Sequence, residues 1–308
     1  MACPPVAGPH EQRETSPQRG GAMNRWLVTG AGGMLGQDMV TCLERDGEVA
    51  LALTRRDLDI TDQAAVTATV LGCRPDIVVN CAAWTAVDEA EAHEEEALEV
   101  NGRGARLVAA ACAASGARLI HISTDYVFAG DAARPYTEHD RCGPRTGYGR
   151  TKLAGERAVA ELLPGSGYIV RTAWLYGAHG RNFVRTMIGL ERDGKVVGVV
   201  DDQRGQPTWT MDVVGQVIAL ARSGAPAGVY HATSSGETTW FGFAREIFRL
   251  LGADTARVRP VTSGAYPRPA PRPAYSVLGH DAWASAGIKP IPGWQLRLQQ
   301  GLRAVAAA

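Results

Sequence analysis

The residues best suited to chemistry are Tyr148 and Lys152, which lie four positions apart in the run Y-G-R-T-K. The segment that follows, T-K-L-A-G-E-R-A-V-A-E-L-L, has the composition of a helix, so both side chains project from one helical face. A phenol has a pKa of about 10 and exchanges protons near neutral pH only when its anion is stabilised, as it is by a nearby cation. The spacing therefore predicts Tyr148 as a proton donor and Lys152 as the group that tunes it.

Thr124 is the third candidate catalytic residue. It ends the run A-R-L-I-H-I-S-T, in which apolar residues give way to small polar ones, as expected where a buried strand opens onto a ligand crevice. A hydroxyl at that position can bind the oxygen that Tyr148 protonates. Taken alone, the spacing of Tyr148 and Lys152 is more often a coincidence on an ordinary helix, so this interpretation depends on the motifs around it.

A glycine-rich turn near the start of the chain predicts a nucleotide site. The apolar run W-L-V-T leads into G-A-G-G-M-L-G and then into a helical stretch over residues 37 to about 45. Strand, glycine turn and helix in this order form the context of a dinucleotide fingerprint. Gly30, Gly33 and Gly36 let backbone N–H groups approach a pyrophosphate at the helix N-terminus. A tight turn that binds no ligand is the alternative.

The tip of the second predicted strand bears on cofactor choice. The run V-A-L-A-L ends at T-R-R-D-L-D-I-T-D, and in this fold that tip faces the adenosine ribose. Thr54, Arg55 and Arg56 offer a hydroxyl and two cations to a 2′-phosphate, which predicts NADPH, with NADH also accepted. Asp59 and Ile60 are placed to hold the adenine. Arginines that are merely solvated are the alternative.

Small residues follow the third predicted strand, residues 77–80, in the run I-V-V-N-C-A-A-W-T. Small side chains after a strand leave room for a flat cofactor, so Ala83, Trp84 and Thr85 are expected where its ribose or pyrophosphate passes. Trp84 as a simple packing residue is the alternative. The alternation of strands and helices of these lengths predicts right-handed crossovers and a parallel sheet.

Composition excludes several function classes. The chain of 308 residues has 32 Lys+Arg and 32 Asp+Glu, so no net charge attracts nucleic acid or an anionic membrane. No segment approaches the roughly 18 apolar residues needed to span a membrane. The six cysteines include no C-x-x-C and the seven histidines no H-E-x-x-H, which argues against a metal centre built by the protein and favours a reducing cytoplasm.

The chain divides into three predicted regions. Residues 1–22 have the composition of a disordered extension. Residues 23–172 are predicted to form an NAD(P)-binding domain, and residues 173–308 a mainly substrate-binding part with some segments returning to the sheet. The predicted fold is α/β, a Rossmann-type doubly wound parallel sheet with a smaller, less regular C-terminal substrate-binding part.

The ordered set of motifs resembles the dTDP-4-dehydrorhamnose reductases, which are extended short-chain dehydrogenase/reductases. The resemblance covers Asn24 to the C-terminus and rests on the glycine fingerprint, N-x-A-A-x-T, S-T-D-Y-V-F, Y-x-x-x-K, R-T-A-W-L-Y-G, D-D-Q-x-G-x-P-T and a proline run. It implies NAD(P)H-dependent reduction of the C4 keto group of a dTDP-4-keto-6-deoxy-sugar, by a monomer or a homodimer in the cytoplasm.

The resemblance also implies roles for single positions of this sequence. Cofactor contacts are implied at Gly33, Met34, Leu35, Asp59, Ile60, Ala83, Trp84 and Thr85. Substrate contacts are implied at Thr124, Asp125 and Trp174, and Tyr148 and Lys152 match the catalytic pair. Family members can have an acid where this chain has Thr54 and Arg55, so cofactor preference can differ. Some relatives bind magnesium through glutamates at a dimer contact, and Asp38 occupies one such place, which leaves magnesium and the dimer open.

Three other functions compete with this interpretation. A dehydratase of the same superfamily resembles T-D-E after the strand, whereas here Tyr126 follows Asp125, which argues against it. An epimerase keeps its cofactor bound and returns it unchanged, so net oxidation of NADPH distinguishes it from a reductase. A non-catalytic regulatory subunit with the reductase fold is the third alternative, and the presence of Thr124, Tyr148 and Lys152 favours the enzyme.

Overall fold

The computed structural model describes residues 24–307, so the predicted extension at residues 1–22 lies outside the described residues. The strands are β1 (Arg25–Thr29), β2 (Val49–Leu53), β3 (Ile77–Asn80), β4 (Arg118–Thr124), β5 (Gly167–Thr172), β6 (Leu175–Tyr176), β7 (Val197–Val200), β8 (Arg204–Gly205), β9 (Thr208–Trp209), β10 (Gly228–His231), β11 (Thr238–Thr239) and β12 (Val258–Val261). The helices are α1 (Met34–Arg45), α2 (Gln63–Cys73), α3 (Glu89–Ala92), α4 (Glu94–Leu98), α5 (Ala105–Ser115), α6 (Gly147–Leu162), α7 (Phe183–Arg192), α8 (Thr210–Arg222), α9 (Trp240–Leu250), α10 (Asp281–Ser285) and α11 (Trp294–Ala307).

Six strands form one parallel sheet in the order β10-β5-β4-β3-β1-β2. In chain order, β2 is added on one side of β1, and the chain then crosses back to add β3, β4 and β5 on the other side. The strand order therefore reverses between β1 and β3, and in open α/β sheets the ligand crevice opens at that point, beyond the carboxyl ends of the strands. The predicted Rossmann-type doubly wound sheet is confirmed.

Alternate residues of the inner strands pack into two separate cores. Trp26 and Val28 of β1 join the core formed with α1, α8 and α10. Leu27 points the other way, into the core formed with α2, α5 and α6. Because helices cover both faces of the sheet, the runs W-L-V of β1, I-V-V of β3 and Y-I-V of β5 are apolar on both faces.

A third core lies in the C-terminal part of the chain. It is formed by α7, α9 and α11 together with the β7–β12 pair, and Phe243 and Leu298 are among its buried residues. The proline run lies beside the end of β4, where the backbone of Gly130 packs against Pro273. Arg272 in the same run donates a 2.9 Å hydrogen bond to Asp88. Among the described residues, no helix is both long and apolar enough to cross a membrane.

The helical stretch before β4 is interrupted by a π-helical turn, Glu99–Gly104, between α4 and α5. Asn101 lies in this turn, where its amide accepts the Trp84 N–H at 2.9 Å and donates to the Trp84 carbonyl at 3.1 Å. The same amide donates to Thr151 of α6 at 3.1 Å. The irregular turn thus fixes the loop after β3 against α6, and such bulges occur often at functional sites.

Candidate active site

A cavity of about 820 Å³ opens at the carboxyl ends of the sheet strands. Its volume is in the range of small-molecule and cofactor sites. All the site residues predicted from the sequence line this cavity: Gly30, Gly33, Met34, Leu35, Gly36, Arg55, Asp59, Ile60, Ala83, Trp84, Thr85, Thr124, Asp125, Tyr148, Lys152 and Trp174. The structure therefore brings together residues that lie up to 144 positions apart in the chain.

The glycine turn between β1 and α1 has the form that a pyrophosphate requires. Gly30 has a φ of +66°, and a Cβ there would lie 2.5 Å from the Ala82 nitrogen. A Cβ on Gly36 would overlap the Gly30 carbonyl. Gly33 is the N-cap residue of α1 and has no capping side chain, so the first N–H groups of the helix are available to an anion. The turn fits a dinucleotide.

The tip of β2 presents two arginines to the cavity. Thr54 also lines the cavity, but its N–H and hydroxyl are engaged with Asp57 Oδ2 at 2.9 and 2.6 Å. Arg55 and Arg56 are exposed, and within the described range of the chain neither guanidinium forms an ion pair. Asp59 is held by the Thr61 N–H and hydroxyl, whose hydrogen bonds lower its pKa. Both guanidinium groups are thus available to a phosphate.

The start of α6 positions Tyr148 and Lys152. Thr146 caps the helix by accepting the Gly149 N–H at 3.0 Å, and Gly149 itself packs against the Tyr126 carbonyl. Tyr148 lies in the first turn of the helix and Lys152 one turn later, so both side chains point into the cavity. The helix predicted from the composition of this segment is confirmed.

The protonation behaviour of this pair differs from the expectation. Burial raises the pKa of Tyr148 to about 12, and it is the Thr124 side chain, not Lys152, that partly counteracts the rise. Burial also lowers the pKa of Lys152 to about 8, although Glu156 and Cys81 act in the opposite direction. The Lys152 Nζ donates a 2.7 Å hydrogen bond to the Ile122 carbonyl. Desolvation therefore dominates the Tyr148 pKa, and Lys152 is not among the groups that lower it in the described residues.

Thr124 and Asp125 lie where β4 ends. The Thr124 hydroxyl donates to Asp125 Oδ1 at 2.9 Å and accepts the Tyr126 N–H at 3.2 Å. Asp125 is 3% exposed, and burial raises its pKa to about 6. Its Oδ2 accepts no hydrogen bond from the part of the chain that is described. Asp125 lines the cavity, and the Ser276 side chain lies near enough to lower its pKa. Its unpaired oxygen leaves an acceptor for a ligand hydroxyl.

Trp174 forms part of the cavity wall on the side of the C-terminal part. Its φ is +46°, which is unusual for a large side chain. The indole stacks on Trp240 of α9, with ring centroids 3.7 Å apart and planes at 10°. The backbone of Gly205 packs against the edge of the same ring. The sequence analysis does not single out Trp240, because no local pattern connects the first residue of α9 with Trp174.

Asp38 lies in α1 and is 4% exposed. It accepts a hydrogen bond from Thr210 and pairs with His179 at 3.4 Å. Among residues 24–307 no three His, Cys, Asp or Glu side chains are grouped so that they could hold a metal ion. The position that resembles a magnesium ligand is thus occupied by an acid engaged in contacts inside this chain.

Comparisons with known proteins agree with the site. Residues 23–307 match the family model described as the RmlD substrate binding domain. A dTDP-4-dehydrorhamnose reductase of Streptomyces griseus is 58% identical over 285 residues, covering 91% of this chain and 94% of that protein. A dTDP-4-keto-6-deoxy-D-glucose reductase of Streptomyces niveus is 57% identical over 277 residues, covering 90% of this chain and 96% of that protein.

A solved structure extends the likeness to three dimensions. The crystal structure of dTDP-4-dehydrorhamnose reductase from Bacillus anthracis in complex with NADP superposes with a TM-score of 0.88 at 37% identity, covering 92% of this chain and 99% of that one. The family model, the curated relatives and this superposition all extend over nearly the whole described range. The chain therefore belongs to the dTDP-4-dehydrorhamnose reductase family.

Proposed function

We propose that the protein is an NADPH-dependent oxidoreductase that reduces the C4 keto group of a dTDP-4-keto-6-deoxy-sugar. The observation that carries this proposal is the convergence of Thr124, Tyr148 and Lys152 on the cavity that also contains the glycine turn of α1. A proton donor, a hydroxyl and a cation beside a dinucleotide site are the groups that carbonyl reduction needs. The names of the relatives support a dTDP-linked sugar as the substrate.

The residues of the chain have distinct roles in this reaction. When bound, NADPH supplies the hydride that adds to the C4 carbon. Tyr148 donates its proton to the C4 oxygen as negative charge develops there. The Thr124 hydroxyl turns from Asp125 Oδ1 to the same oxygen and stabilises its charge. Lys152 binds the ribose next to the nicotinamide and stabilises the phenolate that remains on Tyr148.

The residues that would hold the cofactor run from the glycine turn to the tip of β2. Gly30, Gly33 and Gly36, with Met34 and Leu35, hold the pyrophosphate at the start of α1. We assign the adenine to Asp59 and Ile60, and the ribose and pyrophosphate path to Ala83, Trp84 and Thr85. Arg55, with Arg56 beside it, pairs with the 2′-phosphate, so NADPH is preferred and NADH is also used.

The substrate lies between the end of β4 and the C-terminal part. Asp125 accepts hydrogen bonds from the sugar, and Trp174 contacts the nucleotide sugar from the opposite wall. Residues 23–172 form the NAD(P)-binding domain in this proposal, and residues 173–308 form the mainly substrate-binding part, from which β10 returns to the sheet. Cytoplasmic location is proposed with it, since Cys42, Cys73, Cys81, Cys112 and Cys142 are all unpaired.

A product assay tests the proposed function. The purified protein is incubated with NADPH and a panel of dTDP-4-keto-6-deoxy-sugars that differ at C3 and C5, and the products are identified by NMR. We expect one equivalent of NADPH to be oxidised for each C4 alcohol formed. A configurational change at C3 or C5 without net loss of NADPH would indicate an epimerase. Cofactor binding without turnover on any sugar of the panel would favour a regulatory subunit.

A further inference from the structure

A buried chain of hydrogen bonds runs beneath Lys152 from β1 to β4. Thr29 of β1 donates its hydroxyl to Asn80 Oδ1 at 2.6 Å, and the Asn80 amide nitrogen lies 3.1 Å from His121 Nδ1. The other ring nitrogen, His121 Nε2, lies 3.5 Å from the Lys152 Nζ. Thr29, Asn80 and His121 are each 1% exposed, and Lys152 is 2% exposed. None of the three residues beneath the lysine is needed by the reaction described above.

The amide of Asn80 determines where the ring proton of His121 lies. The Ala82 N–H, which can only donate, points at Asn80 Oδ1 at 3.3 Å, and so does the Thr29 hydroxyl. The amide NH₂ must therefore face His121 Nδ1, which must accept. The ring is consequently neutral and carries its proton on Nε2. A doubly protonated ring would oppose the Asn80 NH₂, and burial together with the Lys152 charge lowers the His121 pKa well below its usual range.

The Nε2–H of His121 thus points towards an ammonium group, which has no lone pair to accept it. When Lys152 is a neutral amine, its lone pair can accept this N–H. The ring dipole, with its positive end towards the lysine, therefore favours the neutral amine. Gly155 makes the approach possible, because a Cβ there would lie 3.3 Å from His121 Nε2 and would overlap the Asn101 carbonyl.

Other groups face Lys152 from the elements packed around it. Cys81, just after β3, and Glu156, one turn along α6, both raise its pKa. Glu156 is itself bound by Arg171 of β5 in a buried ion pair at 2.7 Å, and it accepts the Ser123 hydroxyl. Arg171 therefore compensates part of the negative charge of Glu156, and Glu156 raises the Lys152 pKa less than burial lowers it.

We infer that His121 is a positioning residue which, oriented by Asn80, weakens proton binding by Lys152 and so sets the upper pH limit of the reaction. The inference rests on the proposed function in that Lys152 must be charged to support Tyr148. The rate then falls as the pH rises through the lysine pKa of about 8. The ring sets this limit through the direction of its dipole, without contacting the substrate.

Lysine NMR tests the inference without requiring turnover. The chain has three lysines, Lys152, Lys195 and Lys289, so protein labelled with ¹³C-lysine gives few signals, and the two exposed lysines serve as references. In His121→Phe, which keeps a ring but loses the N–H, we expect the Lys152 midpoint to rise by about 0.5 to 1 pH unit. His121→Gln should keep the wild-type midpoint, because its amide can accept from Asn80 and donate towards Lys152.

Two further variants keep the test decisive if His121→Phe folds poorly. Asn80→Ala frees the ring to present an unprotonated Nε2, so the Lys152 midpoint should again rise. Thr29→Val is the matched control, because the Ala82 N–H still orients Asn80, and its midpoint should not move. An unchanged Lys152 midpoint in both His121→Phe and Asn80→Ala, with the fold intact by circular dichroism, would overturn the inference.

The pH profile of kcat links the ring to turnover. With saturating substrate and cofactor, kcat falls on the alkaline limb of this profile. That limb should move to higher pH in His121→Phe and Asn80→Ala by the same amount as the Lys152 NMR midpoint. If the midpoint moves and no variant, wild type included, oxidises NADPH, the proposed function fails and the tuning of Lys152 stands. If the midpoint moves and the limb does not, His121 does not set the pH limit and that part of the inference is wrong.

Discussion

Trp174 and Trp240 lie in face-to-face contact, 3.7 Å between ring centroids, although one follows β5 and the other begins α9. Trp174 adopts a φ of +46°, which costs a bulky residue about 1 to 3 kcal/mol. An aromatic pair contributes about 0.5 to 1.5 kcal/mol beyond the area it buries. The stack thus offsets much of the backbone strain and holds Trp174 in the cavity wall.

The first prediction follows from this stack. Trp240→Ala removes the ring behind Trp174 without touching the cavity, so Trp174 is no longer held in place for the nucleotide sugar. We expect KM for the sugar nucleotide to rise about 2- to 10-fold, with a smaller change in kcat and an unchanged Kd for NADPH. Trp240→Phe keeps an aromatic face and is the matched control. Equal KM values for Trp240→Ala and wild type would show that the stack does not position Trp174 for binding.

The second prediction concerns the proton donor. Tyr148→Phe should reduce kcat about 10²- to 10⁴-fold, because the C4 oxygen then loses its proton source. Binding of NADPH, measured by fluorescence titration, should be retained. Tyr126→Phe is a suitable control, since that ring lies edge-on to Tyr148 with centroids 5.6 Å apart and has no role in the proposed reaction. Near wild-type turnover by Tyr148→Phe would remove Tyr148 from the mechanism.

The third prediction concerns cofactor choice. Arg55 and Arg56 line the part of the cavity proposed for the adenosine, and a guanidinium pairing with a phosphate contributes about 1.5 to 3 kcal/mol. We expect the Arg55→Ala, Arg56→Ala double variant to lose about 10- to 100-fold in kcat/KM with NADPH and little with NADH. Arg45→Ala, at the far end of α1, is the matched control. If the ratio of kcat/KM with NADPH to kcat/KM with NADH does not fall in the double variant, both arginines are only solvated.

The fourth prediction concerns stability against pH. Burial raises the pKa of Asp125 to about 6, above the value of about 3.9 for an unfolded aspartate. The folded chain therefore binds this proton more tightly, so the stabilising contribution is complete below about pH 4 and is lost as the pH rises through about 6. The free energy of unfolding should fall by about 3 kcal/mol from this group over that range.

Urea denaturation at pH 4 and pH 7 isolates this contribution. The unfolding free energy of wild type minus that of Asp125→Asn should be smaller at pH 7 than at pH 4. Asp57→Asn is a control in which this free-energy difference should change with pH in the opposite direction, because hydrogen bonds from Thr54 lower the pKa of that exposed carboxyl. A wild-type to Asp125→Asn difference that is independent of pH would mean that Asp125 titrates as an ordinary exposed acid.

Local sequence determined most of the framework of this protein. The apolar runs W-L-V, I-V-V and Y-I-V specify β1, β3 and β5, because a strand covered by helices on both sides buries consecutive side chains. Gly30 and Gly36 specify the turn into α1, since no other residue fits so close to the neighbouring backbone. The spacing of Tyr148 and Lys152 places both side chains on one face of α6 whatever surrounds the helix.

Only the tertiary structure decided how those groups behave. The high pKa of Tyr148 and the low pKa of Lys152 come from burial among segments that are distant in the chain, and local pattern carries no information about desolvation. The π-helical turn at Asn101 and the stack of Trp240 on Trp174 likewise depend on partners that only folding brings together. The sequence alone therefore placed the reactive groups on their elements, while packing between those elements set their protonation and their neighbours.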